Sequence, residues 1–301
     1  MVAPATGRLV RATAGDGRYR LLALDGAEVV AEIRRRQGTD PVATAAVGRV
    51  ALGALLLGAL LKENEHLVTL RVKGSGPLGS VIATATPAGE VRALVGDPRP
   101  EIDQVAPSGK LNVGAAVGLP GALTVTRDLA MGEPYVSTVA LRSGEIGDDL
   151  ATYFLMSEQV PSAVGIGVYV DAEGEVEAAG GYLAQLMPGA DDADAARLEQ
   201  IIAALPSPTE MLRAGDRPED ILRRIANGDG LRVRDTRAVR FHCPCGPDRA
   251  ERALVLLGGE ELRAVREMPG GPGAELTCAF CGEVYRISAE QLDRLIEGAR
   301  E

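Results

Sequence analysis

The chain has 301 residues, 46% of them hydrophobic, so it is long and apolar enough to fold into more than one compact domain. Aromatic residues make up only 3% and tryptophan is absent, which leaves Ala, Val, Leu and Ile to build the core. A formal net charge of −10 argues against nucleic acid as a main partner, because contacts with phosphate groups require clustered Lys and Arg.

The first elements of the chain combine strand-like and helical patterns. Residues 8–26 alternate as two strands do, and residues 27–37 have helical spacing. Residues 41–61 are almost wholly apolar and about long enough to span a membrane. We interpret them as a buried core helix, because Arg49 would be costly inside a bilayer and Asp40-Pro41 is typical of a soluble helix start. With no apolar secretory signal at the N-terminus, we expect a cytoplasmic protein without a membrane partner.

Short β-rich runs and a hairpin follow the long apolar segment. The predicted strands lie at 67–72, 79–85, 91–95, 121–127 and 135–139. Residues 148–159 are predicted to be helical, and residues 163–170 and 176–186 are predicted to pair as a hairpin. Because strands and helices are mixed without a βαβ rhythm, the fold class is α+β, with an N-terminal core domain over residues 1–187.

The character of the sequence changes at residue 188, and we assign residues 188–236 to a helical linker. Three short helices are predicted there, at 190–205, 209–214 and 218–226. Helices of this length are marginal alone and depend on docking against a partner surface. Either this is an ordinary helical connection or it is a metastable switch element that undocks.

Residues 237–301 form the predicted C-terminal domain and contain all four cysteines, as Cys243-Pro-Cys245 and Cys278-Ala-Phe-Cys281. Two close pairs can place four thiolates around one ion, which is the ligand set of a structural zinc site. The sequence therefore predicts one zinc per chain in a small Cys₄ domain. The spacer between the pairs is longer than in a usual zinc ribbon, and it includes a glycine-rich turn predicted at 270–273.

Several chemistries remain open for these cysteines. The zinc site could be a permanent structural element of an interaction module, or oxidation could release the metal and unfold a domain with so thin a core. A nucleic-acid zinc ribbon is disfavoured, because residues 237–301 contain nine Arg against eleven Asp and Glu. A thiol-disulfide oxidoreductase would need its Cys-x-x-Cys at a strand-to-helix turn, whereas Cys281 leads into an extended segment. His242 is a possible substitute ligand.

Six longer segments of the sequence indicate a protein family more specifically than the cysteines alone do. They are Pro41-Val-Ala-Thr-Ala-Ala-Val-Gly-Arg49, Gly76-Pro-Leu-Gly79, Ser143-Gly-Glu-Ile146, Ser157-Glu-Gln-Val-Pro-Ser-Ala163, Ala179-Gly-Gly-Tyr-Leu183 and Gln185-Leu-Met-Pro-Gly-Ala190. With the two cysteine motifs, they make the chain closely similar to the heat shock protein 33 family of redox-regulated holdase chaperones. The resemblance extends over nearly the whole length.

The resemblance implies a function and a mechanism. The reduced, zinc-bound protein is expected to be folded and inactive. Oxidants are expected to form the disulfides Cys243–Cys245 and Cys278–Cys281 and to expel zinc. The C-terminal domain and linker then unfold, and the protein dimerises and holds unfolding client proteins under oxidative stress without ATP. No enzymatic activity is expected. Nor is a nucleotide partner, because residues 74–79 lack the Gly-Lys-Ser/Thr ending of a phosphate-binding loop.

The apolar positions of the linker are the candidate client-binding residues, although a docked helix would need the same residues. They are Leu198, Ile201, Ile202, Leu205, Ile221, Leu222 and Ile225.

Overall fold

The computed structural model describes residues 6–107, 109–267 and 273–298. They form two compact units that meet in the sequence between His242 and Cys243. The strands of the first unit are β1 (Gly7–Ala14), β2 (Tyr19–Asp25), β3 (Leu67–Lys73), β4 (Ser80–Ala85), β5 (Glu90–Val95), β6 (Ala122–Asp128), β7 (Tyr135–Ala140), β8 (Ser162–Val170), β9 (Val176–Leu186) and β10 (Arg232–Phe241). Its helices are α1 (Ala27–Gln37), α2 (Pro41–Gly58), α3 (Val113–Val117), α4 (Gly147–Tyr153), α5 (Asp192–Ala204), α6 (Pro208–Arg213) and α7 (Pro218–Ala226).

The strands of the first unit form one ten-stranded sheet in the order β7-β6-β3-β4-β5-β10-β1-β2-β9-β8. Strand β10 runs antiparallel to β1 along most of its length. It runs parallel to β5, and this pairing consists of Arg240 with Glu90 and Phe241 with Val91. Strand β10 therefore joins two five-stranded halves through a short contact at its C-terminal end.

The α2 helix is the centre of the main core. Asp40 caps it by accepting a hydrogen bond from the backbone N–H of Ala43 at 2.8 Å, and Pro41 occupies the first turn. The helix is long and apolar enough to cross a membrane, but 89% of it is buried inside the protein. Arg49, its one charged residue, forms an ion pair with Glu145 at 2.5 Å. The predicted buried core helix is confirmed, and it ends three residues earlier than expected.

Strands β1 and β2 are buried on both faces. Leu9, Leu22 and Leu24 point into the main core with α1 and α2. The alternate residues, among them Val10 and Leu21, point into a second core formed with the linker helices. Side chains of a strand alternate between its two faces, so the linker helices cover the opposite side of the sheet from α2.

Ion pairs and caps fix the linker helices to the sheet. Asp191 and Ser207 cap α5 and α6 through hydrogen bonds to backbone N–H groups three residues on. Three ion pairs then link each helix to a strand or to the turn before it: Arg18–Asp194 at 2.8 Å, Arg213–Glu177 at 2.9 Å and Arg8–Glu219 at 2.5 Å. In the structure, the surface on which these three helices dock is the large sheet.

The observed division of the chain differs from the predicted domains. The sequence analysis placed boundaries at 187/188 and 236/237, whereas the linker helices and β10 both belong to the first unit. Strand β10 was not predicted, because its sequence is rich in Arg and most of its residues are exposed, so it lacks the apolar alternation of a buried strand. The predicted helix at 148–159 is α4 followed by a π-helical turn, Phe154–Glu158.

The second unit is small. Its elements are α8 (Pro247–Val255), α9 (Gly259–Arg266), β11 (Gly273–Thr277), β12 (Val284–Ser288) and α10 (Ala289–Gly298). Strands β11 and β12 form an antiparallel hairpin. The buried cluster of this unit consists of Leu254, Leu262, Ile287, Leu292 and Ile296. The predicted glycine-rich turn at 270–273 lies largely outside the described residues.

Candidate metal centre

The two cysteine motifs occupy structurally different positions. Cys243 and Cys245 lie in the extended segment that continues from β10 to α8. Cys278 and Cys281 lie in the connection between β11 and β12. There the backbone N–H of Gly282 donates to the carbonyl oxygen of Cys278 at 2.8 Å, and Gly282 adopts a φ of 73° that favours glycine. The turn thus directs both sulfurs of Cys-x-x-Cys to one side.

The fold brings the four sulfurs together. Cys243 Sγ lies 3.7 Å from Cys278 Sγ, and Cys245 Sγ lies 3.2 Å from Cys281 Sγ. All four ligand atoms lie within 4.8 Å of one another. Tetrahedral coordination with Zn–S bonds of about 2.3 Å requires sulfurs about 3.8 Å apart. The cluster therefore fits a tetrahedral metal ion such as zinc, and the four cysteines could hold one.

The electrostatics of the cluster also suit a cation. Burial alone would raise the pKa of the Cys278 thiol, but hydrogen bonds from the backbone N–H groups of Phe280 and Cys281, together with those from the Cys281 and Cys243 thiols, outweigh it and lower the pKa to about 7. Burial raises the pKa of the Cys281 thiol, and hydrogen bonds to the neighbouring sulfurs raise it further. The site thus stabilises one thiolate readily and resists the next, because like charges this close repel. A divalent cation would offset that repulsion.

Tyr285 is a member of the site that the sequence analysis missed. Its hydroxyl group donates a hydrogen bond to Cys245 Sγ at 3.0 Å. That hydrogen bond, followed by burial, raises the pKa of the phenol, so Tyr285 remains a donor. The available signal was the alternation of strand β12, which places Tyr285 and Ile287 on one face and Val284 and Arg286 on the other.

The remaining predicted site residues are not members of this sulfur cluster. His242 is not part of the sulfur cluster among the described residues, and its backbone N–H donates to Val91 at 2.9 Å. Six of the seven candidate client-binding residues, all except Ile201, pack in or against the second core between the linker helices and the sheet. Those that are fully buried are Leu198, Ile221, Leu222 and Ile225, and those that are half-buried are Ile201, Ile202 and Leu205. In this folded state they serve as the apolar faces of docked helices.

Comparison with known proteins agrees with this architecture. The family model described as Hsp33 protein matches residues 7–288. The chain belongs to the Hsp33 family. The "33 kDa chaperonin" of Halalkalibacterium halodurans is 40% identical over 97% of this chain and 99% of the relative. The protein of the same name from Bacillus subtilis is 42% identical over 95% of this chain and 97% of the relative.

A solved structure supports the fold. The crystal structure of the 33 kDa chaperonin, or heat shock protein 33 homologue, from Thermotoga maritima superposes with a TM-score of 0.88. It is 35% identical to this chain and covers 97% of it, while this chain covers 98% of that one. The resemblance to the Hsp33 family and the α+β fold class predicted from sequence are both confirmed. The relatives are named as chaperonins rather than as enzymes.

Proposed function

We propose that this chain is a redox-regulated, ATP-independent holdase chaperone that acts in the cytoplasm under oxidative stress. It is inactive when its cysteines are reduced and hold zinc, and it becomes active when they are oxidised. The observation that carries the proposal is the gathering of four thiol sulfurs within 4.8 Å in a unit with only a small apolar cluster. Membership of the Hsp33 family, whose relatives are named chaperonins, supports it.

The switch chemistry involves the four thiols. In each motif, one thiolate attacks peroxide and forms a sulfenic acid, releasing hydroxide, and the second sulfur then displaces water to form a disulfide. Each motif loses two electrons, and each peroxide is reduced to one water and one hydroxide, which takes up a proton from solvent to give the second water. We assign the pairs as Cys243–Cys245 and Cys278–Cys281. The four cysteines would hold a zinc ion that cross-links the two motifs, and sulfurs joined in disulfides would no longer be available to it as thiolate ligands.

Loss of the cross-link has a large effect on a unit this small. Structural zinc contributes about 10–16 kcal/mol to the folding of comparable modules. The apolar cluster of the second unit, Leu254, Leu262, Ile287, Leu292 and Ile296, is too small to offset the conformational entropy of the ordered chain by itself. We therefore expect the second unit to unfold when both motifs are oxidised.

Strand β10 is the covalent route from the cysteine unit to the linker helices. Its end is held by the pairing of Arg240 and Phe241 with β5, and the guanidinium of Arg36 lies 4.8 Å from the centre of the Phe241 ring. Five residues separate its start from the end of α7. Unfolding beyond residue 242 leaves the chain that follows β10 without a folded anchor, and we propose that the linker helices then undock from the sheet.

Undocking would expose apolar surface on both sides of the second core. The helices would present the client-binding residues proposed from sequence, and the sheet would present the residues that they cover, such as Val10, Leu21 and Tyr182. Exposed apolar surface of this extent promotes binding of other chains. It accounts both for the holding of unfolding clients and for homodimer formation on activation, without a nucleotide.

The test is the aggregation of a thermally unfolding client, followed by light scattering. Reduced protein should barely suppress aggregation, and protein treated with peroxide at raised temperature should suppress it near stoichiometrically. ATP should change neither curve. A variant with all four cysteines replaced by serine should be active without peroxide. Equal activity of reduced and oxidised protein would reject the switch and leave the cysteines as a structural brace.

A further inference from the structure

A cleft of about 520 Å³ on the first unit gathers positive charge. It lies where α2 has ended and Leu60 and Leu61 continue the chain over the sheet. The charged residues that line it are Arg11, Arg20, Lys62, Asp235 and Arg237. In a chain with a net charge of −10, four cations around one opening stand out against the acidic remainder.

The sheet itself arranges the three arginines. Arg11 on β1 lies two residues after Leu9, and Arg20 on β2 lies two residues before Leu22, so both share the face of the main core. Arg237 on β10 is directly opposite Leu9. The guanidinium groups therefore project from three adjacent strands on one face, and they rest on a rigid framework rather than on a loop.

Only one of these cations is neutralised. Asp235 is the only acidic residue among the described lining residues, and Arg237 Nε donates to its carboxylate at 2.8 Å. Arg20 donates to the neutral amide oxygen of Gln185 at 3.4 Å. Within the described part of the chain, Arg11, Arg20 and Lys62 have no ion-pair partner. Burial, and next the charge of Arg237, lower the pKa of Arg11, and the nearby carboxylate of Asp235 offsets this only in part.

We propose that this cleft is a binding site for an oligophosphate, an anion with two or more adjacent phosphate groups, held by Arg11, Arg20 and Lys62. Three unneutralised cations match three or more negative charges, which is more than a simple carboxylate carries. The planar guanidinium group binds phosphate oxygens in pairs, and Lys adds a mobile point charge. The volume is within the usual range for small-ligand sites and exceeds that needed by one phosphate.

The ligand could be a linear inorganic oligophosphate or the phosphate tail of a nucleotide, because both present the same chemistry. No aromatic residue lines the cleft within the described part of the chain, so nothing there offers a stacking surface for a base. Tripolyphosphate should therefore bind at least as tightly as ATP.

The experiment is calorimetric titration of the full-length reduced protein with tripolyphosphate, and separately with ATP, at fixed ionic strength. Arg11→Gln and Arg20→Gln should each weaken tripolyphosphate binding about tenfold or more, the usual cost of losing a hydrogen bond to a charged group. The matched control is Arg71→Gln, which removes the same charge from an exposed site on β3 beside Ser80. It should leave the affinity within about twofold, and rising salt should weaken binding to the parent protein.

Lys62→Gln keeps the test decisive if a β-strand variant fails to fold, because Lys62 is exposed in a loop. Equal weakening by Lys62→Gln and Arg71→Gln would show a general charge effect and overturn the proposal. Absence of binding at millimolar tripolyphosphate would overturn it too, as would ATP binding that is much tighter and insensitive to Arg11→Gln.

Discussion

The first unit and the cysteine unit differ in what holds them together. The first buries a continuous core around α2 and a second core beneath the linker helices. The cysteine unit buries a cluster of only five residues, and its four cysteine sulfurs lie together at a second point. A unit that depends on side-chain chemistry can be unfolded by a change in that chemistry, whereas a unit that depends on apolar burial resists it. The difference allows one chain to contain both a stable body and an oxidant-sensitive part.

The largest effect on the difference between the two units is expected from the removal of one cysteine sulfur. Cys278→Ser should abolish tight metal binding, unfold the chain from about residue 243 onward and undock the linker helices, with the sheet around β1 and β2 and the α2 helix still folded. Hydrogen exchange should show protection lost in the second unit and retained in β1, β2 and α2.

Ala279→Ser is the matched control for this variant, because it adds a hydroxyl group to the same turn at an exposed position. It should retain both metal and protection. If protection in the second unit survived Cys278→Ser, the four sulfurs would not be what stabilises that unit.

Loosening the linker helices tests whether the second core is the stored chaperone surface. Ile225→Ala removes a side chain that is 2% exposed and should destabilise the docked helices by about 2–5 kcal/mol. We expect partial suppression of client aggregation by the reduced protein and faster proteolysis between residues 190 and 230.

Val233→Ala serves as the control, since this residue on β10 is 51% exposed and its truncation leaves no cavity. If the reduced Ile225→Ala protein is proteolysed faster but does not suppress client aggregation, undocking of the linker helices is not sufficient for chaperone activity.

A smaller effect is expected from the charge of Asp194. The backbone N–H of Asp191, and then Tyr19 and Arg18, lower the pKa of this carboxyl group in the folded protein. A lowered folded pKa stabilises the docked helix at neutral pH, and this contribution is lost as the pH falls through the acidic range. Asp194→Asn should therefore lower the melting temperature at pH 7 and reduce its sensitivity to acid.

Asp192→Asn changes the same charge in the same first turn of α5, at an exposed position without the contact to Arg18. Melting curves of the two variants between pH 7 and pH 3 should diverge at neutral pH and converge in acid. Identical curves throughout would assign the effect to the helix dipole alone.

The smallest expected effect is that of Tyr285→Phe, which removes the hydrogen bond to Cys245 Sγ and keeps the ring. The site should still form, with a modestly faster release of metal to a chelator, because one sulfur loses a donor that stabilises its charge. Tyr135→Phe, on the exposed strand β7, should release metal at the parent rate. An unchanged release rate in Tyr285→Phe would show that this hydrogen bond does not stabilise the site.

Much of the fold could be predicted because its signals are local. The bounds of α1 and α7 match the sequence prediction, since glycine or asparagine in the left-handed region ends each helix. The gathering of the four cysteine sulfurs was predicted from the spacing of the two close pairs. Strand β10 could not be found, because partners distant in sequence, β1 and β5, define it rather than its own pattern. The burial of linker residues such as Ile221 depends likewise on strands far away in the chain.

The short pairing between β5 and β10 determines how many edges the large sheet has. With Arg240 and Phe241 in place, the sheet has two edge strands, β7 and β8. Separation of that pair would divide it into two five-stranded sheets and create new edges at β5 and β10, each with unpaired backbone N–H and C=O groups. Two residue pairs beside the first cysteine motif thus keep two strands from acting as templates for the backbone of another chain.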